Sequence, residues 1–174
     1  MKVAETIPDI NENAVLLEQF KLPDMMAGLL ETAINDARGL DRYRYMPDSD
    51  HWYNTSNRSS CEVCLSGSVI ARSFRIPPDR DMAPFMFSEL TMRKLEALDS
   101  MRCGNWWHAF VCVYDHYPNR FVESQILALK MPQQSDFHGW DDFETHLSSL
   151  QGFLPQLRAI DKTENLRKTE RITS

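Results

Sequence analysis

Cys61 and Cys64 stand three apart in SSCEVCLSGSVIARSF, and Cys103 and His108 follow after a gap of 38 residues. Thiolate and imidazole are the ligands zinc prefers, and C-x2-C is one half of many tetrahedral zinc sites. The second half, C-x4-H, is irregular, and Cys64 leads straight into an apolar run rather than a turn-forming knuckle. A C-x2-C at a helix start is also a redox signature, because the helix dipole lowers the first thiol's pKa. That chemistry requires a hydrophobic strand just before the motif, where this chain has the polar YNTSNRSS. The third reading is two reduced, metal-free thiols behaving as small buried hydrophobes at the start of a packed helix. This is the expectation adopted, with no cofactor; a zinc- or thiol-dependent enzyme or regulator using Cys61, Cys64, Cys103 and His108 is the alternative.

Hydrolytic materials are scattered. DHW, YDHYP and FHGWDD place Asp50, Asp115 and Asp141 near His51, His116 and His138. Such neighbours are common by chance, and catalytic groups are recognised by geometry. No nucleophile elbow, phosphate-binding glycine loop or HExxH occurs, so no catalytic residue is assigned.

Recognition is the remaining function. DRYRYMPDSDHWYNTSNR, residues 41–58, lacks a period yet carries Tyr43, Tyr45, Trp52 and Tyr53. Trp106 and Trp107 are adjacent, so on a helix they point about 100° apart and one core stripe cannot absorb both. Either one of them lies near the surface or both are wedged between helices. Interface energy concentrates in aromatic and Arg side chains, which singles out Arg44, Tyr45, Trp52, Tyr53 and Trp107 as binding residues.

The elements that would position these groups are helices. LPDMMAGLLETAINDARG spaces Met26, Leu29, Leu30, Ala33, Ile34 and Ala37 on one stripe, with Pro23 at the first position and Gly39 as a left-handed stop. ENAVLLEQF, residues 12–20, suggests a short helix before it. The cysteine stretch reads as a second helix over 59–74, with Ser59 and Glu62 in capping-box relation and Gly67 in a small-residue groove that admits a neighbouring helix. Pro77, Pro78 and Pro84 make an irregular connection. A helix capped by Ser88 follows, with Leu95, Leu98 and Met101 inward and Gly104 as its stop. The aromatic content of NWWHAFVCVYDHYP suits a strand, but Asn105 as cap and the lack of hairpin partners favour a helix. FVESQILALKMP gives a short helix, and WDDFETHLSSLQGFLPQLRAI a final one broken near Gly152 and Pro155. The expected fold is a mainly α, compact single-domain bundle of about five helices with long irregular loops. It spans residues 1–160 and leaves 161–174 as a polar tail, frayed or a surface helix.

Three stretches together resemble a group of small proteins encoded by tailed bacteriophages and prophages. The matching residues are Asp36, Ala37 and Arg38; Trp52; Cys61, Cys64, Leu65, Gly67, Val69 and Ala71; and Ala97, Leu98, Asp99, Arg102 and Gly104. The likeness covers residues 24–107. Ser66 and Ser68 stand where the group's pattern has alanine-type residues, so the groove is more polar here. The resemblance implies a genomic setting and no activity: an accessory protein that binds and alters a host protein in the host cytoplasm, immunity components included.

Composition agrees with that class. The 174 residues carry 19 Lys and Arg against 25 Asp and Glu, net −6, which argues against a nucleic-acid backbone as partner. No apolar run approaches the roughly 20 residues of a membrane span, and MKVAETIPDINEN lacks the pattern of a secretory signal. Partner expectations are thus a host protein, with homo-oligomerisation left open.

Overall fold

The computed structural model describes residues 21–55, 60–79 and 87–173. Among them the chain is mainly helical: α1 (Met26–Arg38), α2 (Leu65–Arg72), α3 (Glu89–Arg102), α4 (Trp106–Tyr114), α5 (Arg120–Leu127), α6 (Trp140–Gln151) and α7 (Leu154–Thr173). The seven helices exceed the expected five. One cluster of buried side chains runs through all of them, from Met26 and Leu30 through Leu65, Leu98, Phe110, Val122 and Phe143 to Ile160. No described helix is long and apolar enough to cross a membrane.

The stripe read in α1 is buried in full. Its ends differ from the reading. The helix begins at Met26 with Met25 extended, so Pro23 precedes it, and Gly39 closes it at φ −88°, an ordinary right-handed value. The α1 amides are instead capped from far along the chain: Met26 N–H and Ala27 N–H donate to the Asp161 carboxylate at 3.0 and 2.9 Å. Asp161 also accepts from the Tyr114 hydroxyl. The segment read as a polar tail from residue 161 thus continues α7, with Asp161 and Glu164 buried. His116 Nε2 lies 2.6 Å from Glu164 Oε1, and the Arg167 guanidinium donates to the other oxygen at 3.0 Å.

The region expected to be one loop and one helix is different. β1 (Tyr45–Pro47), β2 (Tyr53–Asn54) and β3 (Cys61–Val63) form a sheet in the order β1-β3-β2. β1 runs parallel to β3 with Tyr45 opposite Cys61, and β2 antiparallel with Tyr53 opposite Val63. Side chains alternate across the strands: Tyr45, Pro47, Cys61 and Val63 are buried and Met46 is exposed. Helix α2 starts only at Leu65, with Cys64 in the cap position. Glu62 is therefore a strand residue, and its carboxylate accepts from Asn54 Nδ2 at 2.8 Å. Ser59, the 12–20 helix and Pro84 lie outside the described residues.

Gly67 does sit at a close approach, but to backbone rather than to a helix. A Cβ there would stand 1.6 Å from the Trp52 carbonyl oxygen. The later caps are those expected: Ser88 Oγ accepts from Thr91 N–H, and the Asn105 side chain from His108 N–H. Gly104 adopts φ +80°, a left-handed value that glycine reaches without strain, and turns α3 into α4. The last two helices break at Gly152 and Phe153.

His146 on α6 is wholly buried, its Nδ1–H donating to the Gln134 carbonyl and its Nε2 without a hydrogen-bond partner. Burial pushes its pKa from 6.5 down to about 4. The unfolded chain thus takes up this proton first as pH falls, and stability contributed by neutral His146 is lost between pH 6.5 and about 4. At about 1.4 kcal/mol per unit the loss reaches roughly 3 kcal/mol. Urea unfolding at a series of pH values should show this slope, and His146→Leu should flatten it. An unchanged slope in that variant would refute the assignment.

Candidate functional site

The two cysteines of the C-x2-C motif pack into different places. Cys61 joins Leu40, Tyr45 and Val63 beneath the sheet, whereas Cys64 belongs to the main core. Burial pushes each thiol up to about 11. Both stay protonated at neutral pH, the opposite of what an attacking dithiol needs. Cys103 is half-buried, with its thiol directed at the Ser100 carbonyl 3.4 Å away. The His108 ring meets Cys112, Nε2 to Sγ 3.3 Å. The four residues of the alternative zinc set are thus not brought together.

Among the described residues, three other groups of donors lie within 4.8 Å of one another: Asp48, His51 and Glu62; Asp48, Asp50 and His138; and Glu96, His108 and Cys112. The first two share Asp48 and join the DHW and FHGW stretches through the bridge between Asp48 and His138. Their oxygen and imidazole donors suit hard cations. Burial pushes the Asp48 carboxyl up, but the hydrogen bond from the Asp50 backbone N–H and the side-chain pairing with Glu62, with His138 and His51 nearby, outweigh it and hold the group below 3.8. The third group mixes carboxylate, imidazole and thiol.

The loop proposed for binding is largely consumed in holding the fold. Tyr45 is buried, its hydroxyl donating to the Ile76 carbonyl at 3.5 Å. Its own carbonyl accepts from Trp140 Nε1 at 3.1 Å. Tyr53 is half-buried and donates to the same Ile76 carbonyl at 3.1 Å. Trp52 is half-buried against the core, with its carbonyl over Gly67. Of the residues singled out for binding in this stretch only Arg44 is exposed, beside the exposed Tyr43. An aperiodic loop this rich in aromatics either folds back over the core or forms a binding surface; the short strands within it turn Tyr45 inward and leave Tyr53 half-buried.

The tryptophan pair divides as the 100° argument requires. Trp106 is buried, its Nε1–H donating to the Lys130 carbonyl at 2.7 Å, and Trp107 is half-buried. The Trp107 ring lies 6.5 Å from that of Tyr117, which is 73% exposed. Phe121, Leu127 and Met131 follow, so four of the nine exposed large hydrophobics among the described residues fall within residues 117–131. Met131 packs on Gly104, beside the start of α4. This surface was not read beyond Trp107. Its sequence signal was available: Phe121 and Leu127 fall outside the Val122–Ile126 stripe that buries α5.

A cleft of about 1080 Å³ runs between the start of α1 and α7 and is lined by Pro23, Met25, Gly28, Lys162 and Leu166. It brings together no histidine or cysteine. Comparison with protein-family models, with curated proteins and with solved structures finds no match.

Proposed function

We propose that the chain is a phage accessory protein that acts by stoichiometric binding to a host protein and so counters host defence. The observation that carries the reading is the ring pair of half-buried Trp107 and exposed Tyr117, with Phe121 and Met131 exposed in the stretch of chain that follows. Exposed apolar area clustered in one region marks interaction sites, and aromatic side chains supply most of their energy. Arg120 and Lys130 are exposed in the same stretch of chain, so the partner surface fits best as an apolar groove with an acidic rim. The phage setting rests on the resemblance of residues 24–107.

The binding residues shift accordingly. Trp107 remains, joined by Tyr117 and Phe121, while Tyr45, Trp52 and Tyr53 act as framework and Arg44 lies apart from the α4 surface. A tagged chain should recover one host protein, and the purified pair should form a complex of fixed stoichiometry in a calorimetric titration. Trp107→Ala should weaken that complex by at least about 2 kcal/mol, roughly 30-fold, in a chain that loses some stability because Trp107 also packs against the core but still unfolds cooperatively. Arg44→Ala should leave it unchanged. Equal affinity of wild type and Trp107→Ala, or turnover of a small molecule by the purified chain, would overturn the reading.

A further inference from the structure

His108 and Cys112 are one turn apart on the same face of α4, and Glu96 reaches them from α3. The two helices are held together by the tight turn at Gly104, by the Asn105 cap on the His108 amide, and by buried Leu98, Met101, Ala109 and Phe110. The three side chains therefore project from a rigid hairpin rather than from a loop. We propose that Glu96, His108 and Cys112 form a Zn²⁺ site whose fourth position is open to water or to a donor from a bound partner.

Three observations carry it. The donors are one imidazole, one thiol and one carboxylate, the set that tetrahedral zinc accepts and hard cations do not. The spacing is right as well. Zinc–sulfur and zinc–nitrogen bonds at the tetrahedral angle separate the two donor atoms by about 3.5 Å. Cys112 Sγ and His108 Nε2 are 3.3 Å apart, so both meet one ion with a movement of tenths of an ångström. Glu96 is solvent-exposed, and its flexible side chain completes the triad from within 4.8 Å. Charge balances too: carboxylate and thiolate together neutralise the ion, while the nearby Arg93 is engaged by Asp115.

Binding converts the Cys112 S–H into an S–Zn bond and releases one proton to solvent. Burial, with Glu96 beside it, pushes the free thiol up, so the metal-free protein holds that proton at neutral pH. This site is separate from the C-x2-C set, which contributes none of its ligands. Its evidence does not depend on the proposed host-protein contact.

The test uses the full chain, stripped with chelator and titrated with Co²⁺ and then Zn²⁺. One equivalent of Co²⁺ should give visible bands of tetrahedral intensity and a sulfur-to-cobalt charge-transfer band, with Zn²⁺ displacing it and one proton released per ion. Cys112→Ser should abolish the charge-transfer band. His108→Ala and Glu96→Gln alter exposed side chains and so leave the fold intact. The first should weaken Zn²⁺ binding by at least about 100-fold, and the second by about 10-fold. Cys103→Ser and Asp48→Asn should change nothing. Failure of the wild type to bind, persistence of the charge-transfer band in Cys112→Ser, or its loss in Cys103→Ser would each overturn the proposal.

Discussion

Gly67→Leu is expected to cost about 3 kcal/mol or more, the upper end of what overpacking does. The first atom of any side chain at this position would lie 1.6 Å from the Trp52 carbonyl oxygen and 2.8 Å from its carbon. The obstacle is backbone, tied down because the same carbonyl accepts from Cys64 N–H at 3.4 Å. Relief requires moving β2 away from α2, which also disturbs Tyr53 against Val63. For a chain of this size the thermal midpoint should fall by about 6–12 °C. Gly28→Ala is the matched control, since its Cβ would meet only the Pro23 side chain at 3.2 Å, and it should stay within about 1 kcal/mol of wild type. A Gly67→Leu protein that melts with the wild type would show that the sheet does not dock on α2 as described.

Asp161→Ala should produce the second large loss, also about 3 kcal/mol. One buried carboxylate serves two amides at the start of α1 and the Tyr114 hydroxyl, so removal leaves three donors without partners. Asp161→Asn keeps one acceptor oxygen and should lose about half as much. Burial raises the Asp161 carboxyl above 3.8 even though these hydrogen bonds pull it down. The native state therefore holds the proton longer than the unfolded chain. Its contribution is fully present below 3.8 and declines as pH rises through the raised value. Thermal melts of the three proteins at neutral pH check the ordering; an alanine variant as stable as wild type would mean that α7 does not cap α1.

The helices were legible because their signals are local and redundant. The α1 stripe supplies six periodic positions, and Ser88 and Asn105 each satisfy an amide three residues on. The sheet was not legible. Its strands are two or three residues long, too short to show alternation, and β1 pairs with β3 across a gap that turn chemistry does not announce. That same sheet decides between the two readings of the 41–58 stretch for its tyrosines: Tyr45 is a strand residue with a buried ring and Tyr53 one with a half-buried ring. Asp161 as a distant cap was invisible, because a lone acid in a polar helical stretch reads as solvated. The His108–Cys112 spacing was in plain view, yet the more familiar C-x2-C drew the zinc reading to Cys61 and Cys64, which lie in separate packing clusters.

The central claim, that the surface around Trp107 and Tyr117 contacts a host protein, is tested most directly by placing a photo-crosslinking benzoylphenylalanine at Tyr117 and, separately, at Tyr43. Both side chains are exposed, at 73% and 93%, so both report without disturbing the core. Irradiation in the host should give one discrete adduct from position 117, abolished by Trp107→Ala, and none from position 43. An adduct from position 43 alone, or one from position 117 that survives Trp107→Ala, would contradict the account.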